Sequence, residues 1–206
     1  IPMLKTCRLA IFCAIAVFVT IQTSSISRTR AAKSSLALKP CQVPQIKGEA
    51  KCGTLEVFEN RDTRKGRKIN LNVIVLPATG QQREPDPLFY FAGGPGSAAT
   101  EDAPGIAQIF AKIREHRDLV FVDQRGTGKS NPLNCDLFDP ADQQSYLGSF
   151  FPVDAVKKCR AELEPKADLT LYTTNIAMDD LEDVRAALGY EQINLFGGSY
   201  GTRAAL

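Results

Sequence analysis

The sequence predicts an α/β fold, a mostly parallel sheet with flanking helices, and three observations predict it. The apolar runs at residues 88–91, 119–122 and 193–196 are unbroken, as in central strands that are covered on both faces. Helical patterns alternate with these runs, which favours parallel strands joined by right-handed crossovers. The composition, 44% hydrophobic and 23% charged, is that of a globular domain.

Charge and histidine content exclude several classes of function. The 25 basic and 23 acidic residues give a net charge of +2, too little to indicate a nucleic-acid partner. The single histidine, His116, leaves almost no room for a histidine-based metal site. We therefore expect no metal, no cofactor and no nucleic acid.

Residues 1–30 have the three parts of a secretory signal peptide. Lys5 and Arg8 precede an apolar run at residues 9–21, and small polar residues follow. The run is shorter than the roughly 20 residues of a membrane-spanning helix. We expect an exported protein, periplasmic or extracellular, that meets the membrane only through this segment; an uncleaved anchor is the alternative.

Four cysteines follow the predicted signal: Cys41, Cys52, Cys135 and Cys159. In an oxidising compartment they predict two disulfides, for which three pairings exist. We favour Cys41 with Cys52 and Cys135 with Cys159, because each pair joins neighbours in sequence.

Two β-rich segments, residues 52–58 and 68–76, precede the apolar runs. In the second segment apolar residues occupy alternate positions, the period of a strand, at Ile69, Leu71, Val73 and Val75. Between the segments lies a basic stretch, residues 61–68. A solvated hairpin loop is favoured there over a polyanion site.

The predicted helices span residues 104–115, 153–163 and 175–188. In the last of them Ala177, Leu181 and Val184 fall on one stripe of a 3.6-residue period. Thr174 is placed to cap its start, and Gly189 ends it.

The strongest local signal is residues 197–201, Gly-Gly-Ser-Tyr-Gly, which match the G-x-S-x-G pattern. The pattern holds a nucleophilic serine, here Ser199, in a sharp turn between a strand and a helix. Gly197 and Gly201 supply the space that such a turn needs. An ordinary glycine-rich turn is the alternative.

A second loop, residues 92–96, follows the run at 88–91 and reads Ala-Gly-Gly-Pro-Gly. Acyl transfer creates an oxyanion, which backbone N–H groups stabilise. We assign one such donor to Gly94 and the other to Tyr200. The other loop residues expected to shape the site are Gly93, Pro95 and Gly96.

A third loop, residues 123–130, reads Asp-Gln-Arg-Gly-Thr-Gly-Lys-Ser. Its end is similar to a phosphate-binding loop, but Asp123 stands where that motif requires its first glycine. The nucleotide interpretation is therefore rejected. Asp123 and Arg125 are instead expected to hold the loop in place by hydrogen bonds near the site.

Together the three motifs resemble the α/β-hydrolase superfamily, and within it the prolyl/tripeptidyl aminopeptidase branch, peptidase family S33. The resemblance covers roughly residues 41–206; Ala92 departs from it, since many relatives carry histidine there. It implies a serine hydrolase that cleaves short peptides near their amino terminus through an acyl-enzyme on Ser199. An ester hydrolase of the same fold, or a binding protein that lost its triad, are the alternatives.

The superfamily order of the catalytic triad is nucleophile, acid, histidine. His116 precedes Ser199, so it does not fit as the base. We expect residues 1–30 to be a signal peptide, 31–50 an amino-terminal segment, and 51–206 the amino-terminal part of the catalytic domain, truncated after the serine turn. Such a fragment is expected to be inactive by itself. The oligomeric state stays open.

Overall fold

The computed structural model describes residues 36–137, 141, 143–149 and 151–206. All of these belong to one unit of the chain, Lys33–Leu206. The predicted signal peptide, residues 1–30, lies outside the described residues.

Among the described residues, six strands form one sheet. They are β1 Lys39–Pro40, β2 Lys51–Phe58, β3 Lys68–Leu76, β4 Leu88–Phe91, β5 Leu119–Val122 and β6 Asn194–Gly197. Their order across the sheet is β1-β2-β3-β5-β4-β6. Three strands have the predicted bounds; β2 begins one residue earlier, β6 is shifted by one residue, and β1 was not predicted.

The predicted fold class is confirmed, but the described sheet is mixed rather than mostly parallel. The pairings β1–β2, β2–β3 and β3–β5 are antiparallel. The pairings β4–β5 and β4–β6 are parallel. A short hairpin loop joins β2 to β3, and such a loop can connect only antiparallel neighbours.

The parallel strands share one register. Leu88 at the start of β4 pairs with Leu119 of β5 and Asn194 of β6, and Phe91 at its end pairs with Gly197. The carboxyl ends of the three strands therefore meet at one edge of the sheet, where ligands bind in open α/β folds. The three loops that the sequence singled out all leave from this edge.

The described residues contain five α-helices: α1 Ala99–Ile109, α2 Ala111–Arg114, α3 Val153–Leu163, α4 Thr174–Leu188 and α5 Tyr200–Ala205. The bounds of α3 are those predicted. The prediction of one helix over 104–115 was wrong, because α1 begins at Ala99, contains Pro104 and ends before Phe110. Its start depends on a distant group: the Thr100 N–H donates to the Asp123 carboxylate at 3.0 Å.

The start of α4 also differs in detail from the prediction. Thr173 is the residue before the helix, and its side chain makes no capping hydrogen bond. Thr174, the predicted cap, is the first helical residue, and its hydroxyl lies 2.8 Å from the Tyr200 hydroxyl. Gly189 ends the helix at φ 85°, as predicted. The buried stripe is confirmed at Ala177, Leu181 and Val184.

The core lies on both faces of the sheet. Alternate residues of β3 join one cluster, which α4 covers: Ile69, Leu71, Val73 and Val75. Ile74 and Leu76 face the other way, into a cluster that α1 covers with Ala99, Ala103 and Ala107. Successive residues of β3 therefore face opposite sides of the sheet, and the alternation seen in the sequence separates the residues of the two clusters.

Both disulfides form in the favoured pairing. Cys41 is bonded to Cys52, which fixes the segment after β1 to β2. Cys135 is bonded to Cys159, which fixes the segment after the 123–130 loop to α3.

The basic stretch at 61–68 is a hairpin loop, as predicted, but two of its arginines form ion pairs. Arg61 Nη1 lies 2.8 Å from carboxylate oxygens of both Asp180 and Asp183. Arg67 Nη1 lies 3.3 Å from Glu59. Arg61 therefore joins the β2–β3 hairpin to α4, whereas the pair of Arg67 with Glu59 lies within the hairpin itself.

In the described part of the chain, no helix combines the length and the apolar character needed to cross a membrane.

Candidate active site

Ser199 occupies the turn between β6 and α5. It is solvent-exposed, and its backbone adopts φ 52° and ψ −122°. A non-glycine residue at positive φ is uncommon and is strained unless the surrounding structure enforces it. Here the Thr202 N–H and hydroxyl both donate to the Ser199 carbonyl, at 3.0 and 2.7 Å.

Two glycines permit this turn by allowing close backbone contacts. A Cβ on Gly197 would lie 2.2 Å from the Gly201 carbonyl oxygen, and a Cβ on Gly201 would lie 2.1 Å from the Phe91 carbonyl oxygen. Real Cβ atoms do not approach backbone atoms so closely. The pattern G-x-S-x-G thus has a steric reason at both of its ends.

We expect Gly201→Ala to lower the free energy of unfolding by about 1–3 kcal/mol or more, because the clash is with main-chain atoms of β4. Gly105→Ala is the matched control. Gly105 lies in α1, where an added Cβ would have no atom within 4 Å. It should gain about 0.5–1 kcal/mol from helix propensity. Urea unfolding measures both, and similar values for the two variants would contradict the steric explanation.

The 92–96 loop lies directly beside Ser199. A Cβ on Gly93 would lie 3.2 Å from the Ser199 Cβ. Gly94 and Gly96 adopt φ 103° and 110°, which side chains rarely permit. The Ser97 N–H donates to the Gly93 carbonyl at 3.3 Å and closes the loop. The structure thus brings together the two motifs that the sequence assigned to acyl transfer.

The two predicted amide donors are available. Among the described residues, no acceptor is found for the N–H groups of Gly94 and Tyr200. Tyr200 is the first residue of α5, where helical N–H groups have no partner within the helix. Donors of this kind can stabilise an oxyanion at Ser199.

Asp123 is fully buried at the end of β5. Its carboxylate accepts hydrogen bonds from the Thr100 N–H and hydroxyl, the Asn72 amide and the Lys129 N–H, at 2.9–3.0 Å. A Cβ on Gly128 would lie 2.3 Å from this carboxylate. Asp123 therefore joins its own loop to the start of α1, the helix that follows the 92–96 loop.

Arg125 is buried and joins the 123–130 loop to α4. Its guanidinium donates to both carboxylate oxygens of Asp180, at 2.7 and 2.9 Å. Its remaining N–H groups donate to the carbonyl oxygens of Phe58, Glu59 and Leu171. Burial raises the pKa of Asp180, and the hydrogen bonds from Arg125 oppose that rise.

Tyr172 connects this network to β2. Its hydroxyl donates to Glu59 at 2.9 Å and accepts from the Asn131 amide. Burial raises the pKa of Tyr172 to about 12, and the hydrogen bond to Glu59 adds to the rise. The phenol is therefore neutral at any physiological pH.

The raised pKa of Tyr172 predicts a loss of stability in alkali. Because the folded pKa of about 12 exceeds the ordinary 10.0, the stabilisation is complete below pH 10 and is lost as the pH rises through 12. Between pH 10 and 12, we expect the free energy of unfolding to fall less steeply in Tyr172→Phe than in the wild type. Urea titrations at several pH values measure this; parallel curves would contradict it.

His116 lies far from the serine turn along the sheet. It precedes β5, whereas Ser199 follows β6, and these strands run the same way, so the two residues lie at opposite edges. Its Nδ1 lies 3.2 Å from the Gln82 carbonyl oxygen. It is not placed to act on Ser199.

The sequence analysis did not identify the hydrogen-bond partners of the buried carboxylates. No local sequence pattern marks Asn72 and Thr100 as partners of Asp123, or Tyr172 as a partner of Glu59. Asp180 did carry one, because it falls on the apolar stripe of α4, three residues after Ala177. A carboxylate on a buried stripe requires a buried partner.

Within the described ranges, no group of three or more histidine, cysteine or acidic side chains is arranged to hold a metal ion.

Comparisons with known proteins agree with this geometry. The family described as the alpha/beta hydrolase fold matches residues 86–206. "Serine protease Hip1" of Mycobacterium tuberculosis is 34% identical over 182 residues, 80% of this chain and 34% of that protein. "Tripeptidyl aminopeptidase" of Streptomyces lividans is 27% identical over 199 residues, 87% of this chain and 36% of that protein.

A third relative matches a shorter stretch. "Carboxylesterase B" of Mycobacterium tuberculosis is 39% identical over 89 residues, 42% of this chain and 17% of that protein. The chain thus spans about a third of the length of the first two relatives. The resemblance to the tripeptidyl aminopeptidase branch agrees with these matches. With residues 86–206 matched, the chain belongs to the α/β-hydrolase family.

Proposed function

We propose that the protein containing this chain is a serine hydrolase with Ser199 as its nucleophile. The observation that carries the proposal is the exposed serine at positive φ, in a strand-to-helix turn beside the 92–96 loop. Such a turn presents the hydroxyl at the edge of the sheet, where a substrate carbonyl can reach it. The family membership supports the same assignment.

In the proposed reaction the Ser199 hydroxyl oxygen bonds to the carbonyl carbon while a histidine takes its proton. The carbonyl oxygen becomes an oxyanion that the Gly94 and Tyr200 N–H groups stabilise. The histidine then gives the proton to the leaving group, and the acyl-enzyme forms. Water, deprotonated by the same histidine, releases the acyl group and restores the serine.

We propose that the histidine and its acid partner come from the part of the protein that follows the serine turn. Two facts support this: the family order of the triad, and the limited share of each relative that the chain spans. A serine without a base is a poor nucleophile. The 206 residues alone are therefore proposed to be inactive.

For the whole protein we propose an exported aminopeptidase that releases short amino-terminal pieces of peptides. The name of the Streptomyces relative supports the peptide substrate. The two disulfides and the signal-like residues 1–30 support export, periplasmic or extracellular. The carboxylesterase relative favours a second candidate, hydrolysis of small carboxylic esters.

The test is labelling of the whole protein with a fluorophosphonate probe, which reacts covalently with activated serines. We expect label on the peptide containing Ser199 in the whole protein and none on the 206-residue chain. Folded whole protein without label would count against the hydrolase. Amino-terminally free peptides and p-nitrophenyl esters then separate the aminopeptidase from the esterase by their kcat/KM values.

A further inference from the structure

The loop that carries the Gly94 donor is fixed at both of its ends. Its first end follows Phe91, whose carbonyl oxygen accepts from the Gly198 N–H at 3.4 Å. That end is therefore held by the serine turn itself. The other end leads directly into α1, which begins at Ala99. Whatever holds the start of α1 in place therefore also limits where the Gly94 N–H can lie.

The start of α1 is held by Asp123, from another segment of the chain. The residue before the helix, Ala98, makes no capping hydrogen bond with its side chain. Instead the Thr100 N–H donates to one oxygen of the Asp123 carboxylate at 3.0 Å, and the Thr100 hydroxyl donates to the other at 2.9 Å. A Cβ on Gly128 would lie 2.8 Å from the Ala98 Cβ, so the loop of Asp123 also packs against the residue that precedes α1.

Both oxygens of the Asp123 carboxylate are needed for this contact. The oxygen that accepts from the Thr100 hydroxyl also accepts from the Lys129 N–H at 3.0 Å and from the Asn72 amide at 2.9 Å. Two backbone N–H groups from different segments, those of Thr100 and Lys129, thus donate to different oxygens of one side chain. Asp123 is fully buried, so bulk water cannot supply a missing acceptor.

An asparagine at position 123 has nearly the same shape but only one acceptor oxygen. In one orientation of its amide, the amino group would face the Thr100 N–H; in the other, it would face the Lys129 N–H. Either orientation places two donors against each other in the interior. The isosteric change therefore disturbs the contact between the 123–130 loop and the start of α1.

We propose that Asp123 is a positioning residue of the proposed reaction: by fixing the start of α1, it sets where the Gly94 N–H lies relative to Ser199. The proposal rests on the proposed function, since it assumes that this N–H stabilises an oxyanion. Asp123 acts through the backbone and does not contact the substrate. It adds a determinant of the reaction geometry that lies outside both the serine turn and the donor loop.

The test measures the binding of phenylboronic acid, an inhibitor that resembles the tetrahedral intermediate. Its boron bonds to the oxygen of an activated serine, whose proton passes to the histidine, and one oxygen of the adduct occupies the place of the oxyanion. In the whole protein, we expect Asp123→Asn to weaken this inhibitor by about 10- to 100-fold and to lower kcat by a similar factor, because the donor is displaced. KM should change little, since the donor acts in the transition state.

Asp118→Asn is the matched control, the same change at the other end of β5. Asp118 accepts from the Ala78 N–H and the Tyr190 hydroxyl, both at 2.8 Å, at the edge of the sheet opposite the serine turn. This variant should keep the wild-type inhibition constant. A loss of stability alone lowers the amount of active enzyme but not the inhibition constant, so the constant separates positioning from folding. An unchanged constant in Asp123→Asn, or equal weakening in both variants, would overturn the proposal.

Thr100→Val decides the question if Asp123→Asn does not fold. It removes the hydroxyl that donates to Asp123 and leaves the N–H bond in place. We expect the inhibitor to bind about threefold more weakly or worse, with KM unchanged, because one of the two bonds is lost. An unchanged inhibition constant would overturn the positioning role.

Fluorophosphonate labelling distinguishes the two levels of failure. A labelled wild type whose inhibition constant is unaffected by these substitutions refutes the positioning role alone. A folded wild type that is not labelled refutes the serine hydrolase, and the positioning role with it.

Discussion

Replacing Ser199 by alanine is expected to abolish hydrolysis by the whole protein, lowering kcat by about 10⁶-fold, as in other serine hydrolases whose nucleophile is removed. The physical reason is that no acyl-enzyme can form without the hydroxyl oxygen. KM should change little, because the methyl group leaves the 92–96 loop and the pocket beside Tyr200 in place. Steady-state kinetics with the chromogenic substrate that the whole protein hydrolyses fastest measures kcat and KM.

The control for this variant is Ser149→Ala, at an exposed serine outside the turn and the loops around it. It should retain wild-type kcat. Far-ultraviolet circular dichroism establishes that Ser199→Ala is folded, and the variant should unfold at a urea concentration no lower than the wild type, since the backbone strain at φ 52° is unchanged. Retention of more than about a thousandth of wild-type kcat would contradict nucleophilic catalysis by Ser199.

The second large effect is expected from Asp180→Ala, which removes the partner of a buried charge. Arg125 would then be left without a counter-ion, and Arg61 would lose one of its carboxylates. Breaking a buried ion pair from one side costs about 3–5 kcal/mol of unfolding free energy. Urea unfolding of the whole protein measures the loss.

Glu182→Ala on the same helix is the matched control. Glu182 is exposed and pairs with Arg185, one turn away along α4. Exposed pairs of this kind contribute less than about 1 kcal/mol. The double variant Arg125→Met, Asp180→Leu should be more stable than Asp180→Ala, because neither charge is then buried alone. Equal losses in Asp180→Ala and Glu182→Ala would contradict the role of the buried pair.

Much of the site could be predicted from the sequence because its causes are local. A Cβ on Gly197 would clash with Gly201, four residues away, and Gly94 and Gly96 adopt positive φ within their own loop. The spacing of apolar residues in β3 and in α4 likewise predicts which of their side chains are buried. These elements have the predicted type and nearly the predicted bounds.

What sequence reasoning missed depends on contacts between distant residues. The true start of α1 is set by Asp123, 23 residues after Thr100. The role of Asp180 depends on Arg125, 55 residues before it. The antiparallel pairing of β3 with β5 joins the hairpin to the parallel strands, and residue order alone does not predict this neighbour. In each case the deciding partner lies outside any local window.

The Phe91 carbonyl group contacts both sides of the serine turn. It accepts from the Gly198 N–H at 3.4 Å, and Gly201 lies against it without room for a Cβ. The next residue, Ala92, begins the loop that carries the Gly94 donor. One peptide unit of β4 thus holds the loop of the Gly94 donor against the serine turn, and because the Phe91 side chain is part of the hydrophobic core, a core substitution that displaces this peptide would shift donor and nucleophile relative to each other.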